Sequence, residues 1–215
     1  MGENAARHRD ATLKGDDRLF LVRHGETASN VAQILGAGHD EPLNPAGEAQ
    51  ARALAVWFAA LNLPAPRVYA STYRRARHTA QAIASALGVP VTVLLGLHEI
   101  EIGPAWLGRP YTHLLTHAHE LERSDGGFGF EGGETLKAVA ERFLKALEQP
   151  LALPGTPVVV SHGGALKATL ADLLAADIRE VWRDRRYAHA NTAVTELQKD
   201  GSRWRVVRLA DLPHV

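Results

Sequence analysis

Residues Leu19 to Asn30 read LFLVRHGETASN, and this stretch decides the fold. Four apolar residues in a row, Leu19-Phe20-Leu21-Val22, have the length and unbroken hydrophobicity of a buried strand. The run stops at once in Arg23-His24-Gly25-Glu26-Thr27, a cluster of ionisable and turn-forming residues. A buried strand therefore delivers a guanidinium and an imidazole together to its carboxyl end. Arginine binds an anion through parallel N–H bonds, and a neutral imidazole can attack it. Gly25 permits a tight turn at that point.

Outward from this stretch the same grammar recurs. Pro157 to Val160 is a second apolar run, and it too ends in an ionisable cluster, Ser161-His162-Gly163-Gly164, before a helix with Leu166, Leu170, Leu173 and Leu174 inward. Arg67 to Ala70 is a short strand that runs into Ser71 to Ala76, and Ala76, Ala80, Ile83 and Leu87 mark the inner face of the helix that follows. Gly88-Val89-Pro90 ends that helix, and Val91 to Leu95 is the next strand. Asn44-Pro45 opens another helix with a good cap and proline at the first helical position, and Leu54, Trp57, Phe58 and Leu61 form its core face. Leu136, Val139, Ala140, Phe143 and Leu147 mark a further helix, which Pro154-Gly155 separates from the late strand. Thr192 to Gln198 and Arg203 to Leu209 read as strands around an Asp200-Gly201 hairpin turn. Strands alternating with helices give an α/β domain with a mostly parallel sheet, whose ligands bind at the carboxyl ends of the strands. His24, Arg75 and His162 all emerge at that edge.

Residues 96–134 break the alternation. The segment is rich in Gly and His, weakly periodic, and interrupted by Pro104 and Pro110; a loop of this length in a compact domain is usually functional. One helix is expected within it, near Tyr111 to Leu121. Phe128, Phe130, Trp106 and Tyr111 suit either a cover for the organic part of a ligand or a small satellite core.

Composition narrows the function. A chain of 215 residues with 46% hydrophobic content can bury one sizeable core, and 24 basic against 24 acidic side chains leave no net charge to attract nucleic acid or an anionic membrane. With no cysteine, disulfides, thiolate metal sites and a cysteine nucleophile are excluded. Residues 1–17 lack an apolar signal core and read as a mobile tail, leaving 18–215 as one catalytic domain in a cytoplasmic protein. A homodimer is left open, because an apolar helix face serves a core or an interface equally well.

Two histidines and two arginines converging on one pocket are costly unless an anion offsets them, and phosphate is the expected guest. One imidazole attacks phosphorus in line while the other cations hold the equatorial oxygens. An alkoxide leaving group also needs a proton, and Glu99, just past the strand ending near Leu95, is the candidate donor.

These residues resemble the histidine phosphatase superfamily, the phosphoglycerate mutase-like proteins. Arg23-His24-Gly25-Glu26-Thr27 with Asn30 is similar to its opening motif, Ser71 to Ala80 to its second, Glu99 with Gly103 and Gly108 to its acid segment, and Ser161-His162-Gly163-Gly164 to its late histidine motif. Glu131-Gly132-Gly133-Glu134-Thr135 and Asn191 to Thr195 resemble minor motifs, all in family order across nearly the whole chain. The resemblance implies a three-layer α/β/α sandwich with a mostly parallel central sheet and a small lid inserted at about residues 96–134. It implies His24 as the nucleophile that forms a phosphohistidine, Arg23, Arg75 and His162 as the phosphate pocket with Asn30 and Gly163 beside them, and Glu99 as proton donor and later base. It implies no metal and no cofactor, and a small phosphorylated substrate. Ser29 before Asn30, Ile100-Glu101-Ile102-Gly103 after Glu99 and the short span to His162 depart from the mutases, so hydrolysis is expected over mutase chemistry. A phosphoglycerate mutase-like transferase and a non-catalytic phospho-ligand binding module are the alternatives.

Three other signals point elsewhere. Gly127 to Gly132 fits a dinucleotide-binding spacing by letter but follows no strand, so a lid is the better account. His113, His117 and His119 imitate a metal cluster and read as a solvated helix face. Arg183, Arg185 and Arg186 are expected to pair with Glu180 and Asp184 on the surface.

Overall fold

The computed structural model describes residues 17–36 and 40–215. The expected mobile tail, apart from Asp17, and part of the expected loop after Gly36 lie outside these residues. The first apolar run is β1 (Arg18–Arg23). Side chains alternate across a strand, so Leu19 and Leu21 enter one core while Phe20 and Val22 enter another, and all four are fully buried. A strand whose two faces are both covered reads as continuous hydrophobicity, which is what the sequence shows.

α1 (Ala28–Ala32) follows the charged cluster, then α2 (Pro45–Ala60), β2 (Arg67–Ala70), α3 (Arg74–Leu87) and β3 (Val91–Val93). α4 (Tyr111–Thr116) lies in the long insertion; α5 (Leu136–Ala152), β4 (Pro157–Ser161), α6 (Gly163–Leu173), α7 (Ile178–Arg183), β5 (Val194–Asp200) and β6 (Arg203–Asp211) complete the order. The six strands run β3-β2-β4-β1-β5-β6 across one sheet. β3, β2, β4 and β1 are parallel, with Phe20 opposite Val158 and Arg23 opposite Ser161, whereas β5 runs antiparallel to both β1 and β6. Val68, Ala70, Val158 and Val160 join Phe20 and Val22 under Leu54 and Phe58 of α2 and Ile83 of α3. Tyr69 and Val159 join Leu19 and Leu21 under Phe143 of α5 and Leu166 of α6. The result is an α/β fold of three layers, with helices on both faces of a mixed, mostly parallel sheet.

Local signals work as read at most element ends. The Asn44 side chain accepts from Gly47 N at 2.7 Å ahead of Pro45, and Gly88 closes α3 at φ 69°, a left-handed cap that favours glycine. Three expectations need correction. β3 stops at Val93 and the chain turns into a 3₁₀ turn at Leu95–Leu97. β5 begins at Val194, because Thr192 sits at φ 61°, which no strand tolerates. The single helix expected near Tyr111 to Leu121 is two pieces: His117, at φ −122° and ψ 34°, ends α4, and a 3₁₀ turn covers Ala118–Leu121.

The insertion is folded rather than loose. Trp106, Leu121, Phe128 and Phe130 are all buried and continuous with the core under α5 and α6. Trp106 meets Phe130 edge to face at 5.0 Å. The glycine-rich stretch forms two short bridges, Glu122 with Phe128 and Gly129 with Thr135, and no strand-to-helix turn that could cradle a pyrophosphate.

Candidate active site

The carboxyl ends of β1 and β4 bring His24 and His162 side by side, with ring centroids 5.1 Å apart. Parallel pairing sets this meeting: Arg23 lies opposite Ser161, so the residue after each falls at the same level. His24 Nδ1 lies 2.7 Å from the Gly25 carbonyl oxygen. A carbonyl only accepts, so Nδ1 carries the proton and Nε2 keeps its lone pair. Arg75 Nε donates to that Nε2 at 3.1 Å. Burial, then the nearby Arg23 and Arg75, holds His24 well below the usual histidine pKa, so the ring is neutral at pH 7.

The turn that presents His24 is braced from two sides. Gly25 N donates to Thr79 Oγ1 at 2.9 Å, which ties the turn to α3. A Cβ on Gly25 would meet the Gly47 carbonyl oxygen at 2.6 Å, so the start of α2 can press on the turn only because residue 25 is glycine. Asn191 Nδ2 donates to the His24 carbonyl at 3.1 Å and to Asn30 Oδ1 at 2.9 Å. Asn30 also caps α1 with Thr27, and among the described residues its Nδ2 has no hydrogen-bond partner.

Arg23 donates through Nη1 to the His189 carbonyl at 2.7 Å, while its buried Nε has no partner among the described residues. His162 is fully buried, with Nε2 2.7 Å from Ser71 Oγ and Nδ1 unpartnered. It too is held well below the usual histidine pKa, first by burial and then by His24 and the two arginines. Buried N–H groups left unpaired are expensive unless an anion meets them, and the donor set here suits a tetrahedral oxyanion.

Glu99 lines the same cavity as Arg23 and Arg75 and favours their charged forms. Its Oε1 accepts from Ile100 N at 2.9 Å and Ala165 N at 2.8 Å, and its Oε2 from Gly164 N at 3.2 Å. The first turn of α6 thus grips the carboxylate, and a Cβ on Gly164 would meet Oε1 at 2.8 Å. Arg142 of α5, which the sequence reading passed over, fixes the segment from behind, donating to the carbonyls of Gly96, His98 and Glu99 while Glu134 pairs with it at 2.7 Å. The signal was available: Glu134 and Arg142 are two helical turns apart across the start of α5.

Arg23, His24, Asn30, Arg75, Glu99, Gly163 and Gly164 together line one end of a cavity of about 500 Å³. His162 stands behind that wall, its ring edge-to-face with Tyr73 at 5.1 Å. Every candidate named from the sequence is therefore in one neighbourhood. The reading missed Tyr73, which lines the cavity and lies under the Arg75 guanidinium at 4.8 Å, and Trp182, which lines it too. Of the four aromatics proposed as a cover, Tyr111 and Phe130 line the cavity, while Trp106 and Phe128 are core.

The weaker signals also resolve. His113, His117 and Glu120 hold atoms within 4.8 Å of one another. Arg109 Nη1 reaches both His113 Nε2 and Glu120 Oε2, and the His113 and His117 rings stack at 3.9 Å. The cluster thus ties α4 to the turn after it. Arg186 pairs with Asp184 as expected, but Arg183 pairs with Glu122 of the insertion at 3.7 Å, not with Glu180, because α7 packs against that insertion.

The model of the family described as "Histidine phosphatase superfamily (branch 1)" matches residues 19–212. A curated relative from Salmonella paratyphi C, "Probable phosphoglycerate mutase GpmB", is 30% identical over 194 residues, covering 87% of each chain. Among solved structures, a mycobacterial glucosyl-3-phosphoglycerate phosphatase complexed with VO3 superposes at TM-score 0.74 with 28% identity, over 90% of this chain and 98% of that one. A phosphoserine phosphatase from Entamoeba histolytica, in complex with phosphoserine, superposes at TM-score 0.75 with 25% identity, over 92% and 98%.

Proposed function

The chain belongs to the histidine phosphatase superfamily, and from that premise we propose that it is a metal-independent phosphomonoesterase acting through a phosphohistidine. The observation that carries this reading is the state of His24: a neutral ring whose Nδ1 is committed to the Gly25 carbonyl and whose Nε2 lone pair meets Arg75 Nε in a cavity that Arg23 also lines. In this reading the phosphate dianion sits between Arg23 and Arg75 and draws donors from Asn30 Nδ2, Gly163 and His162. Nε2 of His24 attacks phosphorus in line, forming the N–P bond as the P–O bond to the alcohol breaks. The arginines and His162 carry the charge of the equatorial oxygens, the part a metal ion plays elsewhere.

Glu99 is the group placed to give a proton to the departing alkoxide. The resulting carboxylate then takes a proton from water, which attacks phosphorus, breaks the N–P bond and releases phosphate. Oε2 is the oxygen suited to this, since it accepts one backbone bond where Oε1 accepts two.

The test is phosphate release from an aryl phosphate in excess chelator. Activity that survives chelation and disappears in His24→Ala supports the reading; a requirement for added metal overturns it. Glu99→Gln should slow alkyl esters by roughly a hundredfold and aryl esters far less, since only an alkoxide needs the proton. Equal slowing of both would remove Glu99 from the acid role. The name of the Salmonella relative favours a second reading, transfer of the phosphoryl group to another hydroxyl. Interconversion of phosphoglycerates faster than their hydrolysis would establish it.

A further inference from the structure

The cavity has a charged end and an apolar end, and the second is as informative as the first. Beyond the phosphate donors its walls include Ile34, Ile102, Tyr111, Leu114, Phe130 and Trp182, side chains from the α1 end, the insertion and α7. Arg23 and Arg75 are the only lysine or arginine residues lining it among the described residues, and both belong to the phosphate end. Among the described residues the further charges on the wall are acids, Glu99 at the phosphate end and the largely exposed Glu101 beyond it.

Five basic residues near the cavity, among the described residues, are engaged elsewhere. Arg109 lies on the Trp106 ring and reaches Glu120, Arg142 is bound to Glu134 and three carbonyls, and Arg179 and Arg183 hold Glu122. Lys167 donates to the Trp182 carbonyl and stands 5.5 Å from the centroid of that ring. A second anionic group on the ligand would lose its water and gain no cation among the described residues, beside an acid that repels it. An apolar or aromatic group would instead bury surface against Trp182 and Phe130, whose rings meet at 6.3 Å.

We propose, on the phosphatase reading above, that the substrate is the phosphate monoester of an apolar or aromatic alcohol with no second charged group. Trp182, Phe130, Tyr111 and Leu114 set that preference. Substrates that carry a carboxylate next to the phosphate, phosphoglycerates among them, are selected against by the same wall.

Binding and turnover test the two readings separately. Benzylphosphonate and 3-phosphonopropionate, neither of which can be hydrolysed, are titrated calorimetrically into the wild-type protein, and kcat/KM is measured for 1-naphthyl phosphate and 3-phosphoglycerate. Benzylphosphonate should bind more than about tenfold more tightly, the factor that one buried ring can supply, and the naphthyl ester should be the better substrate. Leu114→Arg should narrow or reverse the ratio by giving the carboxylate a partner. Equal or inverted affinities in the wild type, or no binding of either phosphonate, overturn the proposal. Preference for benzylphosphonate without phosphate release from any ester would leave the pocket assignment standing and overturn the phosphatase reading alone.

Discussion

The strand ends at His24 and His162 are written alike, an apolar run followed by a histidine and a glycine, yet the two rings are held differently. His24 is bonded to a carbonyl, which can only accept, so its tautomer is fixed with a lone pair on Nε2. His162 is bonded to the Ser71 hydroxyl, which can donate or accept, so its ring can carry the proton on either nitrogen. The difference teaches that the partner across the hydrogen bond, not the local sequence, assigns the role. One ring is locked in the tautomer that leaves a lone pair on Nε2, as the proposed nucleophile requires, while the other can present Nδ1 as a donor to an oxyanion.

Replacing the rings breaks this comparison most directly. His24→Ala should lower kcat by at least about 10⁴-fold, the scale on which loss of a covalent nucleophile reads, measured as phosphate release. His162→Ala should cost roughly 10²- to 10³-fold, as for loss of one oxyanion donor. Equal losses would mean that the two rings act as one unit.

Ser71→Ala sharpens the comparison, because it frees His162 Nε2 without touching His24. A loss of about tenfold in kcat is expected, worth ~1.4 kcal/mol for one hydrogen bond, with little change in KM. The Gly25 carbonyl admits no equivalent substitution, which is itself part of the difference.

One further expected effect is shared by the two rings and falls on stability, not on rate. His24, His162 and His189 all have folded-state pKa values depressed by burial, His189 to about 4, against an ordinary 6.5. Below 6.5 the unfolded chain therefore binds more protons than the folded one, so stability is complete above that pH and is lost as pH falls toward 4 and below. Each ring adds up to about 1.4 kcal/mol per pH unit to the slope. Urea unfolding at pH 7 and pH 5 should show it, and His24→Asn and His162→Asn should each flatten it. A slope changed by only one of the two substitutions would mean that the other ring is charged when folded.

How much of this was legible beforehand follows from the kind of signal each residue carries. The Leu19–Val22 run, the Asn44-Pro45 start and Gly88 announce themselves, because burial on both faces and helix capping are local matters. Arg23, His24, Arg75, Glu99 and His162 stand out as ionisable groups at the ends of apolar runs. Tyr73 and Trp182 do not, since an aromatic that lines a cavity and one that fills a core look the same in one dimension. The break in α4 at His117 and the left-handed Thr192 were hidden for a related reason: each is imposed by tertiary contacts, and neither histidine nor threonine signals it. Arg142 acts at long range, through carbonyls 43 to 46 residues away.

The two outer strands of the sheet carry a consequence for colloidal behaviour. β3 is three residues long and preceded by Pro90, and β6 carries Arg203, Arg205 and Arg208 along an edge whose pairing with β5 shifts register twice. A short margin on one side and a charged, irregular one on the other give an incoming strand no flat template. The sheet is thereby protected against growing edge to edge into filaments.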